Sequence, residues 1–262
     1  MPKLRMLTVD TGRCRVPKAH MYEMAEGMID IPSPVNIIEH HKHGLILFDT
    51  GLNHAISDSE LSVERYGLDL HSAFGASRVT RDDAIDRQLE KFGYKCSDVK
   101  YVVYSHLHVD HAGGMTYFPD ACHVVQHDEI RYAHWPERWT RFAYYPGDVS
   151  IARNLDILEV DGDVDLFEDG SMKLIKTPGH APGHQMLLLD FENRGRVCLG
   201  ADVAHTIEAF SLAAPMPFDH DLTANERSHM IVKRLKNAGI PVYFAHEMAH
   251  FDELSKDGVY WD

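Results

Sequence analysis

The chain has 262 residues, 44% hydrophobic and 25% charged, the make-up of a globular protein long enough to bury a substantial core. Asp plus Glu total 40 against 26 Lys plus Arg, a formal charge of −14, which argues against nucleic acid or an anionic membrane as partner. No window approaches ~18 uninterrupted apolar residues, the start Met1-Pro2-Lys3-Leu4-Arg5-Met6 has no signal core, and Cys14, Cys96, Cys122 and Cys198 form no C-x-x-C pair; a cytoplasmic protein with reduced thiols is expected.

In chain order, Leu4 to Val9 reads as a first strand. Residues 35–40 and 44–48 read as a hairpin turned at His41-Lys42-His43. The second strand runs into Asp49-Thr50-Gly51. Residues 52–80 read as an irregular surface excursion. Thr80-Arg81-Asp82-Asp83 forms a capping box, opening a helix with Ala84, Ile85, Leu89 and Phe92 on one stripe and a stop at Gly93. An apolar strand over 100–104 follows, then a strand over 121–126 and a short helix over 128–134. The aromatic, Pro/Gly-interrupted stretch 135–147 reads as a loop or lid. Short strands are expected at 157–160, 164–167, 172–176, 185–190 and 196–199, separated by turns such as Asp161-Gly162 and Asp169-Gly170. Thr223-Ala224-Asn225-Glu226 is a second capping box, opening a helix that Gly239 ends. A last strand over 242–245 stops at His246. Strands and a helix, then strands and a helix again, suggest two similar halves packed face to face with helices outside.

The chemistry concentrates in Ser105-His106-Leu107-His108-Val109-Asp110-His111-Ala112-Gly113-Gly114. This is H-x-H-x-D-H, four metal-capable side chains in six residues, placed straight after a strand. Imidazole and carboxylate suit a borderline divalent ion such as zinc. Six residues cannot wrap one ion with all four groups without severe strain, so two ions are expected, with further ligands from other strand ends. Thr177-Pro178-Gly179-His180-Ala181-Pro182-Gly183-His184, Gly200-Ala201-Asp202 and Ala245-His246 each follow a strand and meet that demand.

With these motifs in this order, from Asp49-Thr50-Gly51 to His246, the chain resembles the metallo-β-lactamase superfamily. It is most similar there to the N-acyl-homoserine lactonases, the quorum-quenching lactonases. The resemblance implies one α/β domain over 1–262, an αββα sandwich of two mixed β-sheets flanked by helices. It implies two divalent ions, with zinc expected. His106, His108 and His184 match the ligands of the first ion, and Asp110, His111 and His246 those of the second. Asp202 matches the carboxylate that bridges both. His180 has no ligand role by this resemblance. Asp49 is expected to accept from a ligand imidazole N–H. The lactonases usually carry a tyrosine three residues after the bridging Asp, where its hydroxyl contacts substrate. Here that position is His205, a candidate catalytic and substrate-binding residue whose N–H can donate to an oxygen. The segments 135–145 and 210–218 are candidates for the wall of an acyl-chain pocket.

The implied reaction is hydrolysis of a lactone by a hydroxide held between the two ions, which Asp110 orients as well as binding metal. The competing readings are an esterase or organophosphate hydrolase on the same dinuclear centre, a lactonase for another small lactone, and a metal-binding module without turnover. The expected partner is a small lactone or ester, with no nucleic acid and no membrane, and a homodimer is one allowed assembly.

Overall fold

The computed structural model describes residues 3–57, 60, 62–67, 78–258 and 260–262. The first sheet runs in the order β1 (Leu4–Pro17), β2 (Met28–His40), β3 (Gly44–Phe48), β4 (Val99–Val103), β5 (Cys122–Gln126), β6 (Asp156–Val160). Its first three strands are antiparallel, and β3 to β6 are parallel. The second sheet orders β11 (Val242–Phe244), β10 (Gly195–Ala201), β9 (Gln185–Phe191), β8 (Met172–Lys176), β7 (Val164–Asp165), with only the β10–β11 pair parallel.

The two sheets pack face to face. Ile38, Ile46, Phe48, Val103 and Val124 of the first meet Leu174, Leu187, Leu189, Val197 and Leu199 of the second in one buried cluster. Alternate residues point outward on the same strands. Val35, Leu45, Leu47, Val102 and Val125 lie under α1 (Ile85–Lys91), α3 (His127–His134) and α4 (Pro146–Ile151). Met186, Cys198 and Phe244 lie under α6 (Leu222–Asn237). The period-2 pattern thus feeds two cores from one strand, each buried aliphatic side chain contributing ~1.5–3 kcal/mol. Helices outside and sheets inside make the αββα sandwich. Among the described residues no helix is long and apolar enough to cross a membrane.

Several elements depart from the sequence expectation. β1 continues past Val9 to Pro17, and there Thr11 is buried and satisfied across the pair, its Oγ1 donating to Ser33 O at 2.7 Å; a polar residue inside hides the alternation. β6 joins the first sheet, not the group that follows it, because α3 and α4 form a crossover that returns the chain parallel to β5. The strand expected over 164–167 shortens to two residues. The Thr80 box is present, with Asp83 accepting from the Thr80 N–H at 2.7 Å, but it starts a 3-10 turn, Arg81–Asp83, ahead of α1. The cap of α6 is Asp221, whose carboxylate accepts from Thr223 and Ala224 N–H, so the helix begins before the expected Thr223. The stretch 135–147 holds a 3-10 turn, Arg141–Ala143, and the Pro-initiated start of α4. Two further helices were not legible: α5 (Ile207–Leu212), capped by Thr206, and α7 (Met248–Leu254), capped by Glu247. Within the expected excursion over 52–80, residues 54–57 form a 3-10 turn and 62–67 are helical; 58–59, 61 and 68–77 lie outside the described residues.

His40 closes the β2–β3 turn onto the second sheet. Its Nδ1 accepts from the N–H groups of Lys42 and His43 at 3.1 and 3.3 Å, and its Nε2 faces Ser171 Oγ at 3.1 Å. Burial and the nearby His43 hold its pKa down at about 4. The depressed pKa means His40 contributes its full stability above the unfolded value of 6.5 and loses it as pH falls toward about 4. The urea unfolding midpoint is expected to fall across that window, with a shallower slope in His40→Asn, which keeps an acceptor and does not titrate. An identical slope in the two proteins would count against this role.

Candidate active site

The site sits where strands of both sheets deliver their carboxyl ends, the usual location of a crevice in sheets with parallel strands. β3 leads to Asp49, β4 to the H-x-H-x-D-H loop, β8 to the Pro178-Gly179-His180 loop, β10 to Asp202 and β11 to His246. Within the loop, α2 (Val109–Ala112) is one short turn, held by Thr50 N–H donating to His111 O at 2.7 Å and by Gly113 N–H donating to Gly51 O at 2.9 Å. Two residues at strand ends take left-handed backbone, Asp49 at φ 66° and Ala201 at φ 45°, an arrangement that surrounding contacts must impose.

His106, His108, Asp110, His111, His180, Asp202, His205 and His246 are all buried and close together. Asp202 Oδ1 is 3.4 Å from His111 Nε2, and Asp202 Oδ2 is 3.2 Å from His246 Nε2 and 3.5 Å from His180 Nε2. Asp110 Oδ2 is 3.4 Å from His246 Nε2. His108 Nδ1 and His180 Nε2 face each other at 3.0 Å. Nitrogen and carboxylate atoms of His106, His108 and His180 form one compact group, those of Asp110, His111 and His246 another, Asp202 joins His106 and His111 in a third, and His180, Asp202 and His205 form a fourth.

The outer nitrogens have partners that set the rings' tautomers. His111 Nδ1 donates to Asp49 Oδ2 at 2.9 Å, while Asp49 also accepts from Ser105 N–H and Oγ–H. His246 Nδ1 donates to Pro32 O at 2.9 Å, and His180 Nδ1 meets Asp219 Oδ1 at 3.3 Å. Asp219 accepts as well from Asn225 Nδ2 and Met216 N–H. With Nδ1 committed as donor, each Nε2 is the nitrogen left to face the centre. Burial and neighbouring imidazoles hold His106 and His108 well below the usual histidine range, which favours their neutral rings. Burial works against charge on His111 too, but Asp202, Asp49 and Asp110 outweigh it and hold it above that range. His246, Asp202's other close partner, is raised for the same reason.

One expectation is corrected. The structure brings His180, not His184, to the first group. His184 Nδ1 faces Thr177 O and Oγ1 at 3.1 and 2.9 Å, and its Nε2 accepts from Asp202 N–H at 3.1 Å. Both ring nitrogens are used inside the protein, and neither is in any compact ligand group. His180 takes the place because Gly179, at φ 146°, packs against the Asn225 backbone, where a Cβ would collide. Sequence reasoning chose between two histidines four residues apart in a double Pro-Gly loop, and no local signal separates them. Asp219, which holds His180, was also missed; nothing in its sequence context marks it.

The donor set fits divalent ions. His106 Nε2, His111 Nε2 and Asp202 Oδ1 are buried with no hydrogen-bond partner, an expensive arrangement for a bare protein and an ordinary one around a cation. His205 has its Nε2 2.9 Å from Asp202 Oδ2, and burial lowers its pKa to about 4. Above these groups is a pocket lined by Val16, His20, Met21, Ile31, Phe142 and Phe218. Of the two expected wall segments, Phe142, Ala143 and Phe218 line it; Trp135 is 90% exposed, and Phe210 packs on Phe244 and His229. The β1 and β2 contributions, Val16 and Ile31, were not foreseen.

A family model described as the metallo-beta-lactamase superfamily matches residues 29–244. N-acyl homoserine lactonase AttM of Azorhizobium caulinodans is 28% identical, covering 99% of this chain and 98% of its own. An N-acyl homoserine lactonase of a Bacillus species is 31% identical over 93% of each chain. Among solved structures, an N-acyl homoserine lactone hydrolase with the product N-hexanoyl-L-homoserine bound at its catalytic metal centre is similar at a TM-score of 0.85, with 26% identity and 100% of both chains covered.

Zinc titration of the metal-free protein separates the two loop histidines. His180→Ala is expected to bind fewer equivalents than the parent. His184→Ala is expected to bind the parent's number while melting earlier, since an unpaired Asp202 N–H costs ~1–3 kcal/mol. The reverse pattern would restore His184 as the ligand.

Proposed function

The chain belongs to the metallo-β-lactamase superfamily, and from that premise we propose that it is a metal-dependent hydrolase that opens the ring of N-acyl homoserine lactones. The observation that carries the reading is the convergence of inward-facing, unpartnered imidazole and carboxylate atoms on the floor of a pocket with apolar walls. Relatives that match nearly the whole chain are N-acyl homoserine lactonases, which supports the substrate class over other esters.

In this reading His106, His108 and His180 hold one divalent ion and Asp110, His111 and His246 a second, with Asp202 shared between them. Zinc suits the nitrogen-rich set. When bound, such ions polarise a carbonyl oxygen and lower the pKa of water to ~7. The protein's own groups do the rest. Asp110, which faces both His246 and the pocket, orients the attacking water and directs its oxygen at the lactone carbonyl. Asp49, Pro32 O and Asp219 keep the imidazoles of His111, His246 and His180 aimed inward. His205 holds the Asp202 carboxylate through Nε2 and lines the pocket, where it meets the substrate. Phe142, Phe218 and Met21 exclude water and receive the acyl chain. Addition of water to the carbonyl carbon and cleavage of its bond to the ring oxygen give a hydroxy acid and release one proton.

That proton is the assay. Acid release from N-hexanoyl homoserine lactone is expected from the zinc-loaded protein, to vanish on chelation and to return with zinc. Asp110→Asn is expected to lower kcat/KM by ~100-fold or more, the loss of one positioned acid–base group. Silence of the zinc-loaded protein across acyl-homoserine lactones of several chain lengths would sink the proposal; turnover of simple γ- or δ-lactones or of organophosphates alone would move it to another substrate class.

A further inference from the structure

We infer that Glu129 is a positioning residue that clasps the two ligand-bearing loops together and sets the spacing between His108 and His180. Glu129 lies in the first turn of α3, just past β5, and is 0% exposed. Its Oε1 accepts from the N–H of Leu107 at 2.9 Å, and Leu107 is the residue between His106 and His108. Its Oε2 accepts from the N–H of Gly183 at 3.0 Å, three residues beyond His180. Leu107 belongs to the loop of the first sheet and Gly183 to that of the second, so one carboxylate spans the two halves of the site. A third donor, Tyr144 O–H, reaches Oε1 at 3.0 Å, and the Tyr144 ring lies edge-on to the His108 ring with centroids 4.6 Å apart.

A carboxylate buried this deeply is costly unless donors fill its oxygens, and here three do. The strand roots have their own tie, Gln185 donating to Ser105 O and Tyr104 O at 2.9 and 2.7 Å. Glu129 is the tie at the loop tips, where the histidines are. Its approach to the second loop requires a glycine, since a Cβ on Gly183 would collide with the Glu129 backbone N and Cβ. The need for two acceptor oxygens explains why glutamate is required. A glutamine offers one oxygen, so it serves either Leu107 and Tyr144 or Gly183, and turns its NH2 against the remaining N–H. One loop is then released.

The inference rests on the metal-hydrolase reading for one of its two readouts and is independent of it for the other. In the metal-free protein, Glu129→Gln is expected to shift the ring NMR signals of His108 and His180 and to leave those of His246 in place. Competition with a chelator is expected to show zinc bound ~10–100-fold more weakly, the usual scale for partners behind metal ligands. Gly183→Ala is expected to act in the same direction, and Tyr144→Phe, which removes one of three donors, more mildly. Unchanged ring signals together with parental zinc affinity in Glu129→Gln would overturn the inference even if the melting temperature drops, because that pattern describes a merely structural carboxylate. If Glu129→Gln does not fold, the same two measurements on Tyr144→Phe decide, and no change there overturns it. If the parent itself takes up no zinc, the proposed function fails, and the ring signals alone decide the clasp.

Discussion

The carboxylate of Asp202 is the point on which the structure turns. It is 2% exposed and faces imidazole nitrogens of His111, His180, His205 and His246 within 3.5 Å. Burial disfavours its charge, yet those rings, His246 first among them, hold its pKa well below the usual carboxylate range. A buried anion ringed by imidazoles is stable only if cations or protons balance it. Everything that aims a side chain at this point, from the left-handed Ala201 before it to the strands that end around it, serves that balance.

The fold supplies the aim through its parallel strands. β3, β4 and β5 end on the same edge, and β10 and β11 end opposite them in the other sheet. Ligands from residues 106 to 246 can therefore meet without long loops between them. The apolar cluster between the sheets fixes their separation, and polar ties at the edge refine it. Histidine rings are oriented from behind by Asp49, Asp219 and Pro32 O. The chemistry in front thus depends on hydrogen bonds one layer back.

Much of this was legible in the chain. The H-x-H-x-D-H loop and the residues Asp202 and His246 stand at strand ends that apolar runs reveal, and the structure brings them together. What misled the reading had physical causes. A buried threonine, Thr11, hid the far part of β1, and an aspartate two residues upstream took the cap of α6. The parallel return of β6 to the first sheet is a long-range pairing that local pattern does not encode.

The choice between His180 and His184 shows the boundary most clearly. Residue types and spacing establish that a Pro-Gly loop presents histidine at a strand end, because such chemistry is written locally. Which of the two rings faces the centre depends on Asn225 pressing on Gly179, on Asp219 meeting His180 Nδ1, and on Thr177 and Asp202 N–H engaging both nitrogens of His184. These partners are up to 45 residues away along the chain from the histidines they sort. Local chemistry names the candidates, and only contacts between distant segments, made when the sheets pack, select among them.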